Sequence, residues 1–112
     1  MSEPIEPVNL TALAAELVAD LPNHTAGRTA KSVLHGDGQR AVLMALAADA
    51  ALAEHDAPGP ACLQVLQGEV VLIAGDQRWE LGAGDLVPIP PVRHSVQART
   101  DAVFLLTIAL PG

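Results

Sequence analysis

From Gly27 onward, short apolar segments alternate with tight-turn sequences, and this pattern limits the chain to a fold of many short strands. Glycine, proline and aspartate, which tight turns favour, recur at Gly36-Asp37-Gly38, Gln67-Gly68, Gly75-Asp76, Gly82-Ala83-Gly84-Asp85, Pro90-Pro91 and Arg99-Thr100-Asp101. Between them the pattern predicts strands near residues 28–34, 39–47, 61–66, 69–74, 77–81, 86–89, 94–98 and 102–109. Many short strands at regular spacing indicate an all-β sandwich or barrel.

One helix is predicted ahead of these strands. Asn9 is a favourable N-cap, and apolar residues then recur three and four positions apart as far as Asp20. Pro22 ends the pattern. The apolar face predicts a helix that packs either on the chain's own β domain or on a partner copy. Residues 1–26 are therefore predicted to form an N-terminal arm and helix, and residues 27–112 a single β domain.

Composition and charge exclude several classes of function. Thirteen acidic residues against six lysines and arginines give a net charge of −7, which repels phosphate backbones and argues against nucleic-acid binding. The apolar stretches are shorter than the roughly twenty residues that a membrane-spanning helix needs. The single cysteine, Cys62, cannot form an internal disulfide, as expected of a protein in a reducing cytoplasm. We therefore expect a cytoplasmic protein without membrane or nucleic-acid partners.

Two stretches of the chain resemble the paired sequence motifs of the cupin superfamily. The first covers residues 52–70 and ends in Val65-Leu66-Gln67-Gly68-Glu69-Val70, which is similar to the family's strand, glycine turn and strand. The second covers residues 82–96, where a glycine-aspartate turn leads through Ile-Pro to His94. The two motifs stand in the family's order, with the short separation that is typical of small single-domain cupins.

The resemblance covers roughly residues 27–110 and implies the all-β cupin fold, a double-stranded β-helix or jelly-roll barrel, here with one short N-terminal α-helix. It also bears on residues 41–53. Their alanine-rich composition favours a second helix, whereas the resemblance favours a strand. Small cupins commonly pair, so the resemblance further implies a homodimer, with the apolar helix or a sheet face as the seam.

The resemblance also implies a metal site, of which this chain keeps half. Metal-binding cupins place two histidines one residue apart, a glutamate a few residues later, and a further histidine in the second motif. His55 and His94 match the first and last positions, whereas Ala57 and Ala61 occupy the other two. Because two imidazoles alone seldom hold a divalent ion, we predict no tightly bound cofactor. The alternative is a divalent transition metal (Zn, Fe, Ni or Mn) on His55 and His94 with a further ligand.

The missing ligand has other candidates. If the motif is shifted by one residue, Glu54 and Asp56 face inward and His55 faces outward, which would give two carboxylates beside His94. His24 and His35 lie outside both motifs and are expected to have surface or capping roles. His24, at the end of the predicted helix, is the better candidate of those two for a metal ligand.

The inward-facing positions predict an apolar cavity with two imidazoles, which is the usual make-up of a small-molecule site. In the motif register these positions are His55, His94, Ala57, Ala61, Leu63, Val65 and Val96. The sequence thus predicts a cupin that binds a small molecule in its barrel. The rival hypotheses are a metal-dependent dioxygenase or isomerase that uses His55 and His94, a metal-free acid–base enzyme with His94 as the base, and a barrel in which both histidines are hydrogen-bonded filler.

Overall fold

Two antiparallel sheets face each other in this computed structural model, which describes residues 6–56 and 59–110 with their side chains, except the side chain of His55. Within these residues the strands are β1 (Arg28–His35), β2 (Gln39–Leu46), β3 (Ala51–His55), β4 (Ala61–Gln67), β5 (Glu69–Ala74), β6 (Gln77–Gly82), β7 (Leu86–Pro88), β8 (His94–Ala98) and β9 (Ala102–Ala109). One sheet has the order β1-β2-β9-β4-β7 and the other the order β3-β8-β5-β6. The architecture is the predicted jelly roll.

Residues 41–53, for which composition favoured a helix, instead contain most of β2 and the start of β3. Ala41, Leu43 and Ala45 are buried on one face of β2, and Leu46 is buried on the other. A strand that is covered on both faces shows no alternation of apolar and polar residues. Packing on two sides therefore overrides the helical preference of the alanines. Strand β3 was absent from the predicted strands.

An aliphatic core fills the space between the two sheets. Its buried members are Leu46, Leu63, Val65, Val70, Leu72, Val96, Ala98, Ala102 and Phe104. Phe104 is the largest of the fully buried side chains. Burying side chains of this size contributes about 1.5–3 kcal/mol each, so this core supplies much of the stability of the fold.

The helix α1 (Leu10–Asp20) covers the outer face of the five-stranded sheet. Asn9 caps it, since its side-chain oxygen accepts a hydrogen bond from the backbone nitrogen of Ala12 at 2.9 Å. Leu17 is buried in the same cluster as Leu43 and Val103 of the sheet. The apolar face of α1 is thus buried on the chain's own β domain. In the described part of the chain, no helix is long and apolar enough to cross a membrane.

Candidate functional site

The two predicted site histidines lie opposite each other on neighbouring strands. The register of β3 and β8 pairs His55 with His94 and Leu52 with Val96, with an irregularity between Leu52 and His55. The Cα atoms of directly opposed residues in an antiparallel pair are about 4.5–5.5 Å apart. The backbone therefore brings these two positions together. The side chain of His55 is not described, so the contact between the two imidazoles stays a prediction.

His94 is held in a defined orientation inside the protein. Its side chain is 2% exposed, and Nδ1 lies 2.9 Å from the carbonyl oxygen of Val92. A carbonyl oxygen only accepts hydrogen bonds, so Nδ1 carries the proton in the neutral ring and Nε2 carries the lone pair. In this tautomer Nε2 is the ring nitrogen that can accept a hydrogen bond or bind a metal.

The alternative motif register is not adopted, because Glu54 and Asp56 are engaged by an arginine on the surface. Nε of Arg93 lies 3.0 Å from a carboxylate oxygen of Glu54, and Nη1 lies 3.7 Å from a carboxylate oxygen of Asp56. All three side chains are more than half exposed. The hydrogen bond with Glu54, followed by the charge of Asp56, raises the pKa of Arg93. These carboxylates therefore pair with Arg93 at the surface, where β3 lies beside β8.

The other predicted site residues separate into three groups. Leu63, Val65 and Val96 are almost completely buried and belong to the core between the sheets. Their contact with a ligand stays a prediction. Ala61 is half-buried at the start of β4 and borders a groove of about 690 Å³ near residues 36–39. Ala57 lies outside the described residues.

The histidines outside the motifs are used at the surface. Nε2 of His24 lies 2.7 Å from a carboxylate oxygen of Asp20 at the end of α1. Hydrogen bonds from Asn23 and then from His24 lower the pKa of Asp20. His35 contacts the hydroxyl of Ser32 through Nδ1 at 3.2 Å. Both histidines thus have local partners on exposed parts of the chain.

The described side chains do not fit the metal centre that the cupin resemblance implies. Ala61 offers no donor atom at the glutamate position, and Glu54 and Asp56 are bound by Arg93. Among the described side chains, which do not include that of His55, no three His, Cys, Asp or Glu residues are grouped so that they could hold a metal ion. A firm zinc or iron site needs three or more protein ligands. Of the two predicted histidine ligands, His94 is the one whose side chain is described.

A groove that the sequence analysis missed lies between the edge strands of the two sheets. This β1–β3 groove has a volume of about 580 Å³ and is lined by residues 28–30, residues 52–54, Met44 and Leu106. It forms because the four-stranded sheet ends at β3 and leaves the inner face of β1 uncovered. Arg28 and Ala30 on that face are exposed, although neighbouring Met44 and Leu106 pack against the core. The alternation of apolar and polar residues along a strand does not predict which part of one sheet is left uncovered by the other sheet.

Solved structures of several cupins are similar to this chain. A cupin superfamily protein from Desulfitobacterium hafniense DCB-2 is 20% identical with a TM-score of 0.70, and the match covers 75% of this chain and 78% of that one. An RmlC-like cupin from Desulfovibrio desulfuricans is 28% identical with a TM-score of 0.65, over 73% and 81% of the two chains. Salicylate 1,2-dioxygenase from Pseudoaminobacter salicylatoxidans is 21% identical with a TM-score of 0.73, over 88% of this chain and 33% of the dioxygenase.

No curated protein sequence is significantly similar to the chain. The sequence profile of the cupin domain, by contrast, matches residues 42–108, the segment that runs from β2 to β9 and contains both histidine positions. The match takes in both motifs on which the resemblance rested. Because it spans more than half of the 112 residues and coincides with the observed jelly roll, the chain belongs to the cupin domain family.

Proposed function

We propose that this cupin binds a small molecule in the β1–β3 groove of its barrel, without a tightly bound metal. The observation that carries the proposal is the groove itself, whose floor is formed by the apolar side chains of Met44, Leu52 and Leu106. Its volume of about 580 Å³ lies in the range of small-molecule sites, roughly 300–1,000 Å³. His55 follows the groove-lining residue Glu54 directly, so the backbone of His55 continues β3 from the edge of the groove.

A neutral apolar probe tests this proposal. Hexanamide at millimolar concentration should shift the backbone amide resonances of residues 28–30 and 52–54 in an NMR titration. Ala30→Trp places an indole in the groove from the inner face of β1, where Ala30 is opposite Met44. We expect this variant to weaken hexanamide binding at least tenfold.

A matched variant controls for the bulk of the new side chain. Ala51 is exposed on β3, opposite the exposed Gln97 and outside the groove lining. Ala51→Trp should therefore leave hexanamide binding unchanged. A titration in which hexanamide shifts none of the groove resonances would refute the proposed site.

The second candidate is a metal-dependent cupin enzyme that uses His55 and His94. It is favoured by the hydrogen bond between Nδ1 of His94 and the carbonyl of Val92, because metal-binding histidines commonly donate their other ring nitrogen to such a carbonyl. A bound divalent ion would supply Lewis-acid chemistry there. The described side chains do not supply the three or more ligands that a firm metal site needs. We therefore rank small-molecule binding above this enzyme.

We also propose that copies of this chain form a homodimer through β1. This strand is the last of its sheet, with a hydrogen-bonded neighbour on one side only among the described strands. An open strand edge is a ready template for pairing with a second copy. Leu34 of β1 is 40% exposed, and β1 offers eight residues for pairing, whereas β7 at the other edge of this sheet has three. The apolar face of α1, one of the two surfaces expected to supply the seam, is already buried on the chain's own β domain, which leaves the sheet.

Light scattering at micromolar concentration tests the dimer. The unmodified protein should have the mass of two copies, and Leu34→Lys should shift it toward one copy because a charge on the edge strand opposes pairing. Leu86, which is 62% exposed on the opposite edge strand β7, provides the control. Leu86→Lys should leave the mass unchanged. A single-copy mass for the unmodified protein would overturn the proposal.

A further inference from the structure

We propose that the ligand of the β1–β3 groove is a small monocarboxylate, whose carboxylate group is bound by the guanidinium of Arg28 and whose apolar body lies on the floor of Met44, Leu52 and Leu106. This inference rests on the proposed function and names the chemical class of the ligand. It follows from the position of Arg28, from its charge environment, and from the shape of the groove.

Arg28 is positioned at the groove by the register of β1. It is the first residue of β1 and lies opposite Leu46 of β2. Leu46 is completely buried in the core between the sheets. Because directly opposed residues of an antiparallel pair point to the same face, Arg28 belongs to the inner face of the sheet, where it lines the groove.

The charge of Arg28 has no partner within the described part of the chain, where Arg28 takes part in no ion pair. The acidic residue in the groove lining is Glu54, and its carboxylate is bound by Arg93 at 3.0 Å. One cation at the groove is thus left to bind an anion from solution. A guanidinium presents a planar fork of N–H donors that matches the two oxygens of a carboxylate.

The surroundings favour a singly charged ligand over a phosphate. The chain carries a net charge of −7, which opposes the approach of a dianion more strongly than that of a monoanion. Within the roughly 8 Å over which charges act at physiological ionic strength, this repulsion is about half as large for a monocarboxylate as for a dianion. The floor beside Arg28 is apolar and would bury a short hydrocarbon body.

Hexanoate and hexanamide form a matched pair of probes, since they differ in the charge of the head group. Each is titrated by NMR into the unmodified protein, Arg28→Gln and Arg78→Gln. We expect hexanoate to bind the groove about tenfold more tightly than hexanamide, which is about 1.4 kcal/mol. Arg28→Gln should remove this preference, because it weakens hexanoate binding about tenfold more than it changes hexanamide binding. Arg78, an exposed residue of β6 outside the groove, serves as the control, and its variant should behave as the unmodified protein.

The outcomes separate this inference from the proposed function. Equal binding of the two probes in the groove, or a hexanoate preference that survives Arg28→Gln, would overturn the carboxylate inference and leave the small-molecule function standing. If neither probe shifts the resonances of residues 28–30 and 52–54, both fail. A stronger response of Arg28 to inorganic phosphate than to hexanoate would identify a phosphate site instead and would also overturn the inference.

Discussion

Gly68→Ala is expected to destabilise the protein by about 2–5 kcal/mol and to lower its melting temperature by roughly 10–20 °C. Gly68 connects β4 and β5 with a φ of +80°, a left-handed conformation that costs a residue with a Cβ about 1–2 kcal/mol. A Cβ at this position would also lie 2.2 Å from the carbonyl oxygen of Asp101 and 2.8 Å from Cα of Ala102. Both are backbone atoms, so relief requires the start of β9 to move. Thermal unfolding followed by circular dichroism measures the loss.

Two other glycines separate the causes of this loss. Gly75 also has a positive φ, +59°, but a Cβ there would meet nothing within 4 Å. Gly75→Ala should therefore show the conformational cost alone, about 1–2 kcal/mol. Gly38 has open space and no positive φ, so Gly38→Ala should leave the melting temperature nearly unchanged. If Gly68→Ala has the same melting temperature as Gly38→Ala, the start of β9 does not lie as close to this turn as the structure shows.

The turn residues explain why most of the strands could be predicted from the sequence. Gly68 is such a residue, since only glycine suits both its φ and its contact with β9. Asn9 likewise marked the start of α1, and its side chain forms the expected cap. These signals act locally, between residues a few positions apart in the chain. Strand β3 carries no comparable signal. Its alanines favour a helix, and its extended conformation depends on pairing with β8.

The site was predictable only in part, for a related reason. Strand periodicity indicates that Leu63, Val65 and Val96 face inward, and they do. It does not distinguish an inward side chain that packs in the core from one that borders a cavity. The β1–β3 groove depends on where one sheet ends relative to the other, which no local pattern encodes. The role of Arg28 therefore emerges only when β1 is placed beside β2 and opposite β3.

The largest gain in stability is expected from restoring the cupin metal ligands with Ala57→His and Ala61→Glu together. Ala61 lies on the same face of β4 as Leu63, which is buried in the core, so a glutamate there points to the interior. With His55 and His94 the double variant would hold three imidazoles and a carboxylate, enough for firm zinc or nickel binding. A metal at a hundred times its dissociation constant stabilises a protein by about 2.7 kcal/mol. In a domain of this size we expect a rise of roughly 10 °C in melting temperature, seen only with added metal.

The unmodified protein is the reference for this experiment. Purified without a histidine tag, it should contain far less than one metal per chain, and its melting temperature should change little with added zinc or nickel. Ala57→His with Ala61→Gln keeps the size of the new side chains but lacks the carboxylate, so its response to metal should be weaker. Adding His94→Ala to the double variant should abolish the response, because the imidazole held by the carbonyl of Val92 is lost.

Stoichiometric metal in the unmodified protein that disappears in His55→Ala or His94→Ala would contradict the prediction that its metal site is incomplete. The metal-dependent enzyme would then replace small-molecule binding as the function that the chemistry favours.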